Sequence, residues 1–164
     1  MFKALKKYNY IVVTGCQRSG TRITAKAIAQ DTGFEYVDEF KIGVYDFLKL
    51  VDLLKGERKV IQAPCLCGVV HYLRREDILI VFMHRSDDDI RASQEKRNWP
   101  EPFKGSVSEQ ADYNFPSDIV AVKKEKWKLQ KLTGINSLDL EYETLRNHPL
   151  WVEDREHFAT TQTA

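Results

Sequence analysis

The stretch from Tyr10 to Ala29, YIVVTGCQRSGTRITAKAIA, decides the fold. Its first residues are apolar and mostly β-branched, its middle is rich in small and basic residues, and its end has the apolar spacing of a helix. The stretch therefore predicts a strand, a tight loop and a helix, in that order. A loop in this position presents unpaired backbone N–H groups at the positive end of a helix dipole, which favours a bound anion by about 0.3–1 kcal/mol.

The loop between the strand and the helix contains the residue types that bind a phosphate-like group. Gly15 and Gly20 allow the backbone to approach a ligand closely. Arg18 adds a positive charge, and Ser19 and Thr21 add hydroxyl donors. A glycine-containing turn without any ligand is the alternative interpretation. We predict that the anion is bound by eight consecutive residues, Gly15, Cys16, Gln17, Arg18, Ser19, Gly20, Thr21 and Arg22.

The spacing of the two glycines fits the Walker A pattern of nucleotide-binding loops, but the residues that follow do not. Thr21 and Arg22 stand where that pattern requires Lys and then Ser or Thr, so the lysine that contacts the β and γ phosphates of a nucleoside triphosphate is missing. The order Gly-x-x-Arg-Ser-Gly-Thr resembles instead the 5′-phosphosulfate loop of sulfotransferases that use 3′-phosphoadenosine 5′-phosphosulfate (PAPS). That family has a Lys or Arg two residues before the second glycine, as Arg18 is here.

The composition fits one soluble globular domain. The chain has 164 residues, of which 43% are hydrophobic and 30% are charged, so we expect a single domain over residues 1–164 with a frayed tail from about residue 159. The net charge of +1 gives no reason to expect nucleic-acid binding. We find neither an apolar run of about 18 residues nor a secretion signal at the start. We therefore expect a cytoplasmic protein that does not bind a membrane.

The three cysteines, Cys16, Cys65 and Cys67, are predicted to be reduced because their odd number and spacing form no disulfide framework. Cys65 and Cys67 together with His71 are conceivable zinc ligands, but a second Cys/His pair is missing from the sequence nearby. We expect buried thiols and no metal.

The remaining chain alternates predicted strands with predicted helices, which indicates a parallel sheet with its site at the carboxyl ends of the strands. We predict a three-layer α/β/α fold with a mainly parallel sheet, and from the resemblance a P-loop-like sulfotransferase fold. Residues 98–116 are expected to form a long loop or lid. Later strands are predicted at 34–37, 59–62, 78–83 and 137–142, and helices at about 44–55, from Pro64 to about 73, 87–97 and 117–132. Their inward faces are predicted to include Phe47, Leu48, Val51 and Leu54 in the first of these helices, and Ile119, Val122, Trp127 and Leu129 in the last.

A second motif follows the most continuous apolar run of the chain, Ile78–Met83, which predicts a buried strand at the centre of the sheet. Arg85 comes directly after this strand region, and Ser93 lies eight positions later on the predicted helix. The Arg-x7-Ser pattern is similar to the signature with which sulfotransferases bind the ribose 3′-phosphate of PAPS, a group that needs a fork-shaped cation and a hydroxyl donor. An ion pair of Arg85 with Asp88 or Asp89 is the alternative.

A third segment lies near the end of the chain. Tyr142-Glu143-Thr144-Leu145, followed by Pro149, resembles the Tyr-Glu-x-Leu…Pro segment near the end of many sulfotransferases. The three resemblances occur in the order of the family and extend from Tyr10 to Phe158. Taken together they make the chain similar to PAPS-dependent sulfotransferases of the P-loop superfamily.

The resemblance implies in-line transfer of a sulfuryl group from PAPS to a hydroxyl or amine of a small-molecule or glycan acceptor, without a metal. Adenosine 3′,5′-bisphosphate (PAP) is then the product. Arg18 stabilises the leaving 5′-phosphate, and Glu39, after the second strand, is the candidate general base. Asp38 and His84 are the substitutes for this base. Gln62 ends the third strand, where many family members have a Lys that contacts the transferred group.

Several points stay open at the level of sequence. A small P-loop kinase using ATP and magnesium is the first alternative, although such a kinase commonly has an Asp where this chain has His84 and Arg85. A degenerate nucleotide-binding domain without activity is the second. The acceptor and the oligomeric state do not follow from the sequence. Lys41 is a candidate to replace the missing charge at Gln62. Candidates to close over the 3′-phosphate are Arg97, Lys104 and Arg155, and candidates to stack on adenine or line the acceptor pocket are Trp99 and Phe103.

Overall fold

A computed structural model describes residues 1–42, 46–96 and 119–151. Within them, five strands form one sheet in the order β2-β3-β1-β4-β5. Every neighbouring pair is parallel, as the sequence predicts. The strands are β1 (Tyr10–Gly15), β2 (Glu35–Val37), β3 (Lys59–Gln62), β4 (Ile78–His84) and β5 (Asn136–Glu141).

Four α-helices are α1 (Thr21–Thr32), α2 (Phe47–Leu53), α3 (Asp87–Lys96) and α4 (Ile119–Gln130), and the last described residues, 149–151, are also helical. Short 3₁₀ segments connect them: Lys3–Lys7, Glu39–Ile42, Pro64–Leu66, Val70–Tyr72, Lys131–Thr133 and Tyr142–Asn147. None of the helices described here is long and apolar enough to span a bilayer.

Both faces of the sheet are buried, which explains why β1 and β4 are continuously apolar. Successive residues of a strand point to opposite faces, so Val13 and Met83 belong to the core on the α1 side. On the other face, Ile80 and Phe82 lie in the core with Trp127 of α4, whose ring is 4.8 Å from that of Phe82. The predicted three-layer α/β/α architecture is confirmed.

The position of β1 explains where a ligand would bind. From β1 the chain passes to one side of the sheet to form β2 and β3, and it then crosses to the other side of β1 to form β4. Parallel sheets bind ligands at such a switch point, beyond the carboxyl ends of the strands. The loop that follows Gly15 therefore begins at the crevice between β1 and β4.

The predicted inward face of α2 is partly wrong. Leu50 and Leu54 are buried, whereas Leu48 is 78% and Val51 43% exposed. The helix begins after Asp46, whose Oδ1 accepts a hydrogen bond from the backbone N–H of Lys49 (3.0 Å). Two turns are too few for apolar spacing to define the buried face. The beginning of the predicted 44–55 helix lies outside the described residues.

The segment after β3 differs from the predicted helix. It forms two 3₁₀ turns, Pro64–Leu66 and Val70–Tyr72. Gly68 lies between them, and a glycine costs about 1 kcal/mol relative to alanine inside a helix. Leu66 and Leu73 are nevertheless buried as the apolar pattern indicates.

The buried face of α4 also differs from the prediction. Trp127 is buried as expected, but Val122 and Leu129 are exposed, and two polar residues, Lys123 and Gln130, are buried in their place. Gln130 lies 3.1 Å from Nδ1 of His71. Polar contacts inside the protein, invisible to a hydropathy pattern, therefore fix the rotation of α4.

Asp31 near the end of α1 connects the two ends of the described chain. Its Oδ2 accepts a hydrogen bond from the N–H of Phe2 (2.7 Å) and pairs with the Met1 amine (3.0 Å), and its Oδ1 lies 3.1 Å from Nε2 of His148. Burial opposes the charged form, but these hydrogen bonds outweigh it and lower the pKa of Asp31 from 3.8 to about 2. The ionised carboxylate therefore stabilises the fold.

We predict a pH-dependent stability difference between the wild type and Asp31→Asn. Because the folded pKa is lowered, the stabilisation by Asp31 is complete above pH 4 and disappears as the pH falls toward about 2. The wild type should be more stable by about 2 kcal/mol at neutral pH. Urea unfolding from pH 6 down to pH 2.5 measures this, with the surface variant Asp52→Asn as control. A difference that does not shrink at acidic pH would contradict the prediction.

Candidate functional site

The loop between β1 and α1 has the backbone geometry of an anion-binding nest. Arg18 and Gly20 both have left-handed backbone conformations, with φ of 73° and 96°. Ser19 lies between them, and its N–H and its hydroxyl both donate to the carbonyl of Cys16 (3.1 and 2.6 Å). Left-handed residues in a loop turn backbone N–H groups to one side, where an anion can accept hydrogen bonds from those that the turn does not use. The Ser19 hydroxyl, which the sequence suggests as a ligand donor, is used here to close the turn.

Neither glycine of the loop has room for a side chain. A Cβ on Gly20 would lie 2.5 Å from Cδ2 of Tyr142, and one on Gly15 would lie 2.9 Å from Oγ of Ser19. The close approach of Tyr142 to Gly20 joins the end of β5 to the start of α1. The loop therefore has the glycine-lined backbone that a phosphate-sized ligand needs.

Arg18 holds a strained backbone conformation. It is the one non-glycine residue with a positive φ in residues 1–42, 46–96 and 119–151. This conformation costs an L-residue about 1–2 kcal/mol. The guanidinium Nε of Arg18 donates a hydrogen bond to Oγ of Ser93 on α3 (2.9 Å). Such strain is characteristic of functional sites.

Arg85, at the end of β4, lies against the same loop. Its Nη1 donates to the carbonyl of Arg18 (3.0 Å), and its guanidinium stacks on the ring of Tyr142 at 4.3 Å. Its Nε is buried and has no hydrogen-bond partner among the described residues. A buried charged donor without a partner is costly, and a bound anion would satisfy it.

The alternative role of Arg85, an ion pair with Asp88 or Asp89, does not occur among the ion pairs of the described residues. Asp87 pairs instead with Lys124 of α4, and the Lys124 ammonium also donates to the Arg85 carbonyl (2.7 Å). The structure thus brings the loop, Arg85 and the α3 serine into one site.

Gln62 ends β3 as predicted and is buried beside the first residue of α1. Its Nε2 lies 3.2 Å from Oγ1 of Thr21, and its Oε1 lies 3.1 Å from the hydroxyl of Tyr36. That hydroxyl also donates to Oδ2 of Asp38 (2.8 Å). The Tyr36 hydroxyl has one proton and cannot donate both to Asp38 and to Oε1 of Gln62. If the Gln62 amide is flipped, its nitrogen donates to the Tyr36 hydroxyl and its oxygen accepts from the Thr21 hydroxyl, so every contact has a donor. Burial and the Asp38 carboxylate raise the pKa of Tyr36, which keeps it protonated.

Glu39, the predicted base, lies beside the last residue of the loop. Its Oε1 is 3.9 Å from Nη2 of Arg22, and Nε of Arg22 is 3.4 Å from Oδ2 of Asp38. Burial raises the pKa of Glu39, Arg22 opposes this, and Asp38 adds to it. A partly buried carboxyl with a raised pKa is typical of proton-transfer groups.

The substitute His84 lies on the opposite side of the loop from Glu39. His84 ends β4, and its Nε2 is 2.6 Å from Oδ1 of Asp139. Nε1 of Trp127 donates to the same oxygen (2.6 Å) and Nζ of Lys131 to the other (3.0 Å). His84 is therefore part of a polar cluster on the α4 side, whereas Glu39 follows β2 at the far edge of the sheet.

Sequence reasoning missed several residues that contact the loop. Nζ of Lys123 donates to Oε1 of Gln17 (2.7 Å), and Nε2 of Gln94 donates to the Gln17 carbonyl (3.3 Å). No sequence signal distinguishes these residues from ordinary surface residues. Tyr142 was recognised as part of a motif, but its contacts with Gly20 and Arg85 were not foreseen.

The structure describes only some of the remaining candidates. In the described part of the chain, no group of three His, Cys, Asp or Glu side chains could hold a metal ion. The three cysteines form no disulfide and are buried, and burial raises the pKa of Cys16 to about 12. Lys41 is exposed. The proposed contacts of Arg97, Trp99, Phe103, Lys104 and Arg155 lie outside the described residues.

Several solved structures resemble the chain in fold, among them the following two. Shikimate kinase from Acinetobacter baumannii, in complex with shikimate, has a TM-score of 0.55 and 12% identity, and the match covers 85% of this chain and 88% of that one. YorR protein from Bacillus subtilis, in complex with phosphorylated GDP, has a TM-score of 0.54 and 10% identity, with 93% and 95% covered. No protein-family model matches the sequence, and no curated protein matches it.

These likenesses concern the fold. They do not support the sulfotransferase family specifically. At 12% and 10% identity they establish the fold alone. The chain has an α/β P-loop kinase-like fold with a mainly parallel five-stranded sheet.

Proposed function

We propose that the protein is a nucleotide-dependent transferase that moves the sulfuryl group of PAPS to a hydroxyl or amine of a small molecule or glycan, releasing PAP. One observation carries the proposal. The loop and the Arg85/Ser93 pair are in direct contact, through Arg18 to Ser93 (2.9 Å) and Arg85 to the Arg18 carbonyl (3.0 Å). Two anion-binding groups this close can be reached by one small molecule, as binding both phosphates of one nucleotide requires.

The residues present fit a doubly phosphorylated adenosine. The nest formed around Arg18 and Gly20 suits the 5′-phosphate end, because it combines N–H groups, the N-terminus of α1 and a guanidinium. The unpartnered Nε of Arg85 suits a second phosphate, with the hydroxyl of Ser93 nearby. Arg18, which touches both, would couple the two ends of the ligand.

The chemistry asks for positioning and charge neutralisation rather than for covalent catalysis. PAPS supplies, when bound, a sulfuryl group whose S–O bond to the 5′-phosphate breaks as a bond from sulfur to the acceptor forms. Arg18 and the loop N–H groups hold the negative charge that remains on the 5′-phosphate. Gln62 and Thr21, bonded to each other, present neutral hydrogen-bonding groups at the end of β3. Glu39 takes the acceptor proton in this account.

We predict that Glu39 sets the acidic limb of the pH–rate profile. A general base acts only when it is ionised, and the pKa of Glu39 is raised, so kcat/KM should fall as the pH drops through a value above the usual 4.5. Glu39→Gln should remove this limb and lower kcat by about 10²–10⁴-fold. Glu57→Gln, a remote carboxylate, is the control. An unchanged pH profile in Glu39→Gln would assign the proton to another group.

A small-molecule kinase using ATP and a metal is the second candidate. The likeness to shikimate kinase and to a protein bound to phosphorylated GDP favours it. Against it stand Thr21 in place of the Walker A lysine and the Arg85 that follows β4, where a kinase commonly has a metal-binding carboxylate. Asp87, the first acidic residue after β4, is paired with Lys124.

A transfer assay tests the proposal. The purified chain is incubated with radiolabelled PAPS in EDTA and a panel of sugars, amines and phenols, and in parallel with radiolabelled ATP, magnesium and the same panel plus shikimate. Labelled product from PAPS without metal is the expected result, and it also excludes a degenerate binding domain. Product from ATP alone, with a requirement for magnesium, would replace the sulfotransferase by the kinase.

A further inference from the structure

Lys123 is an unusual residue of α4 because its charged side chain is almost completely buried. It is only 2% exposed, although lysine is hardly ever fully buried without a partner. Its Nζ donates a hydrogen bond to Oε1 of Gln17, the third residue of the loop (2.7 Å). The contact joins residues 106 positions apart in sequence. A cation buried at such cost calls for an explanation.

Gln17 is held at three of its atoms. Besides the bond from Lys123 to its Oε1, its Nε2 lies 2.9 Å from Sγ of Cys65, and its carbonyl accepts from Nε2 of Gln94 (3.3 Å). The peptide unit that follows Gln17 carries the N–H of Arg18, whose φ is 73°. A fixed Gln17 carbonyl therefore fixes the direction of the first N–H of the nest, since the peptide unit is planar.

The charge of Lys123 also acts on the loop. Burial raises the pKa of the Cys16 thiol, and the positive charge of Lys123 is the largest influence that lowers it. Lys123 thus favours negative charge at the second residue of the loop. In a water-poor environment the same charge favours an anion bound to the neighbouring N–H groups.

We propose that Lys123 is a positioning residue of the anion-binding loop, which holds Gln17 so that the Arg18 N–H points at the 5′-phosphate end of the ligand. The inference rests on the anion-binding part of the proposed function. It does not depend on the transferred group, because sulfuryl and phosphoryl donors carry the same 5′-phosphate ester.

The test compares ligands that carry phosphate at one end of the nucleoside with a ligand that carries it at both. Dissociation constants of adenosine 5′-monophosphate, adenosine 3′-monophosphate and PAP are measured by calorimetry for the wild type and Lys123→Met, which keeps the volume and removes the charge. Lys128→Met, on the exposed side of the same helix, is the matched control. We expect Lys123→Met to bind the 5′-monophosphate and PAP about tenfold more weakly, with the 3′-monophosphate unchanged, because a bond to a charged group is lost at one end only.

Each outcome decides the inference. Equal loss for the 5′- and 3′-monophosphates would mean a general packing defect and overturn it, and so would unchanged binding of all three. If Lys123→Met does not fold, Lys123→Gln, which is also neutral, must show the same selective loss. Wild-type binding of PAP no tighter than the 5′-monophosphate would contradict PAPS as donor, while a selective loss in the variant would still support the role of Lys123. A wild type that binds none of them would overturn both.

Discussion

Replacing Arg18 by alanine is expected to lower turnover by about 10²–10³-fold, the usual loss when one donor to a developing negative charge is removed. The guanidinium lies at the junction of the two anion subsites, bonded to Ser93 and adjacent to Arg85 through its own carbonyl. The fold should survive, because Arg18 belongs to a loop beyond the carboxyl end of β1 and not to the core of the sheet. Steady-state kinetics with the donor that the transfer assay identifies measure this. Arg74→Ala, which removes an exposed arginine far from the loop, is the control.

The glycine variant at the same position separates the role of the side chain from that of the backbone. Arg18→Gly should be as inactive as Arg18→Ala. Its free energy of unfolding should be about 1 kcal/mol higher than that of Arg18→Ala, since glycine adopts a φ of 73° without strain. A gain in stability with a loss of turnover would show that the strain is maintained for function. Near-normal turnover in either variant would remove Arg18 from the mechanism.

Gly20→Ala is expected to destabilise the protein by about 2–5 kcal/mol and to abolish nucleotide binding. The new Cβ would combine a disfavoured φ of 96° with an approach of 2.5 Å to the Tyr142 ring, and overpacking alone costs about 1–3 kcal/mol. Relief of the clash would require Tyr142 to move, and Arg85 stacks on this ring. Thermal unfolding and calorimetry with PAP measure the two effects.

Gly33→Ala is the matched control for this clash. Gly33 also has a left-handed conformation, with φ of 78°, but an added Cβ there would meet no atom within 4 Å. Gly33→Ala should lower the free energy of unfolding by only about 1–2 kcal/mol, the cost of the left-handed backbone conformation, and should leave nucleotide binding unchanged. The double variant Gly20→Ala/Tyr142→Ala should be less strained at the loop than Gly20→Ala. Equal destabilisation by Gly20→Ala and Gly33→Ala would contradict the role of Tyr142.

Local sequence signals were sufficient to predict the parts of the site that lie in one short segment of the chain. The β1 strand, the glycine-lined loop and α1 follow each other in one short stretch, and Gln62 ends β3 as its apolar run predicts. The proximity of Arg85 to the loop followed from the rule that carboxyl ends of parallel strands meet at one edge. These expectations depend only on strand order and periodicity.

Sequence reasoning failed where contacts across the fold override periodicity. Lys123 is buried because it reaches Gln17, so the hydropathy pattern of α4 indicated the wrong face. Leu48 and Val51 are exposed on a helix of seven residues, too short for its apolar spacing to be informative. Tyr36 and Gln94 act through partners distant in sequence, Gln62 and Gln17, and no local pattern reveals such pairs.

Isothermal titration in EDTA tests the central claim most directly, namely that the loop and Arg85 bind opposite ends of one nucleotide. PAP and adenosine 5′-monophosphate are titrated into the wild type and Arg85→Gln. We predict that the wild type binds PAP at least about tenfold more tightly than the monophosphate, and that Arg85→Gln loses this preference while its affinity for the monophosphate changes little. Equal affinities of the wild type for the two ligands, or an unchanged preference for PAP in Arg85→Gln, would contradict the account.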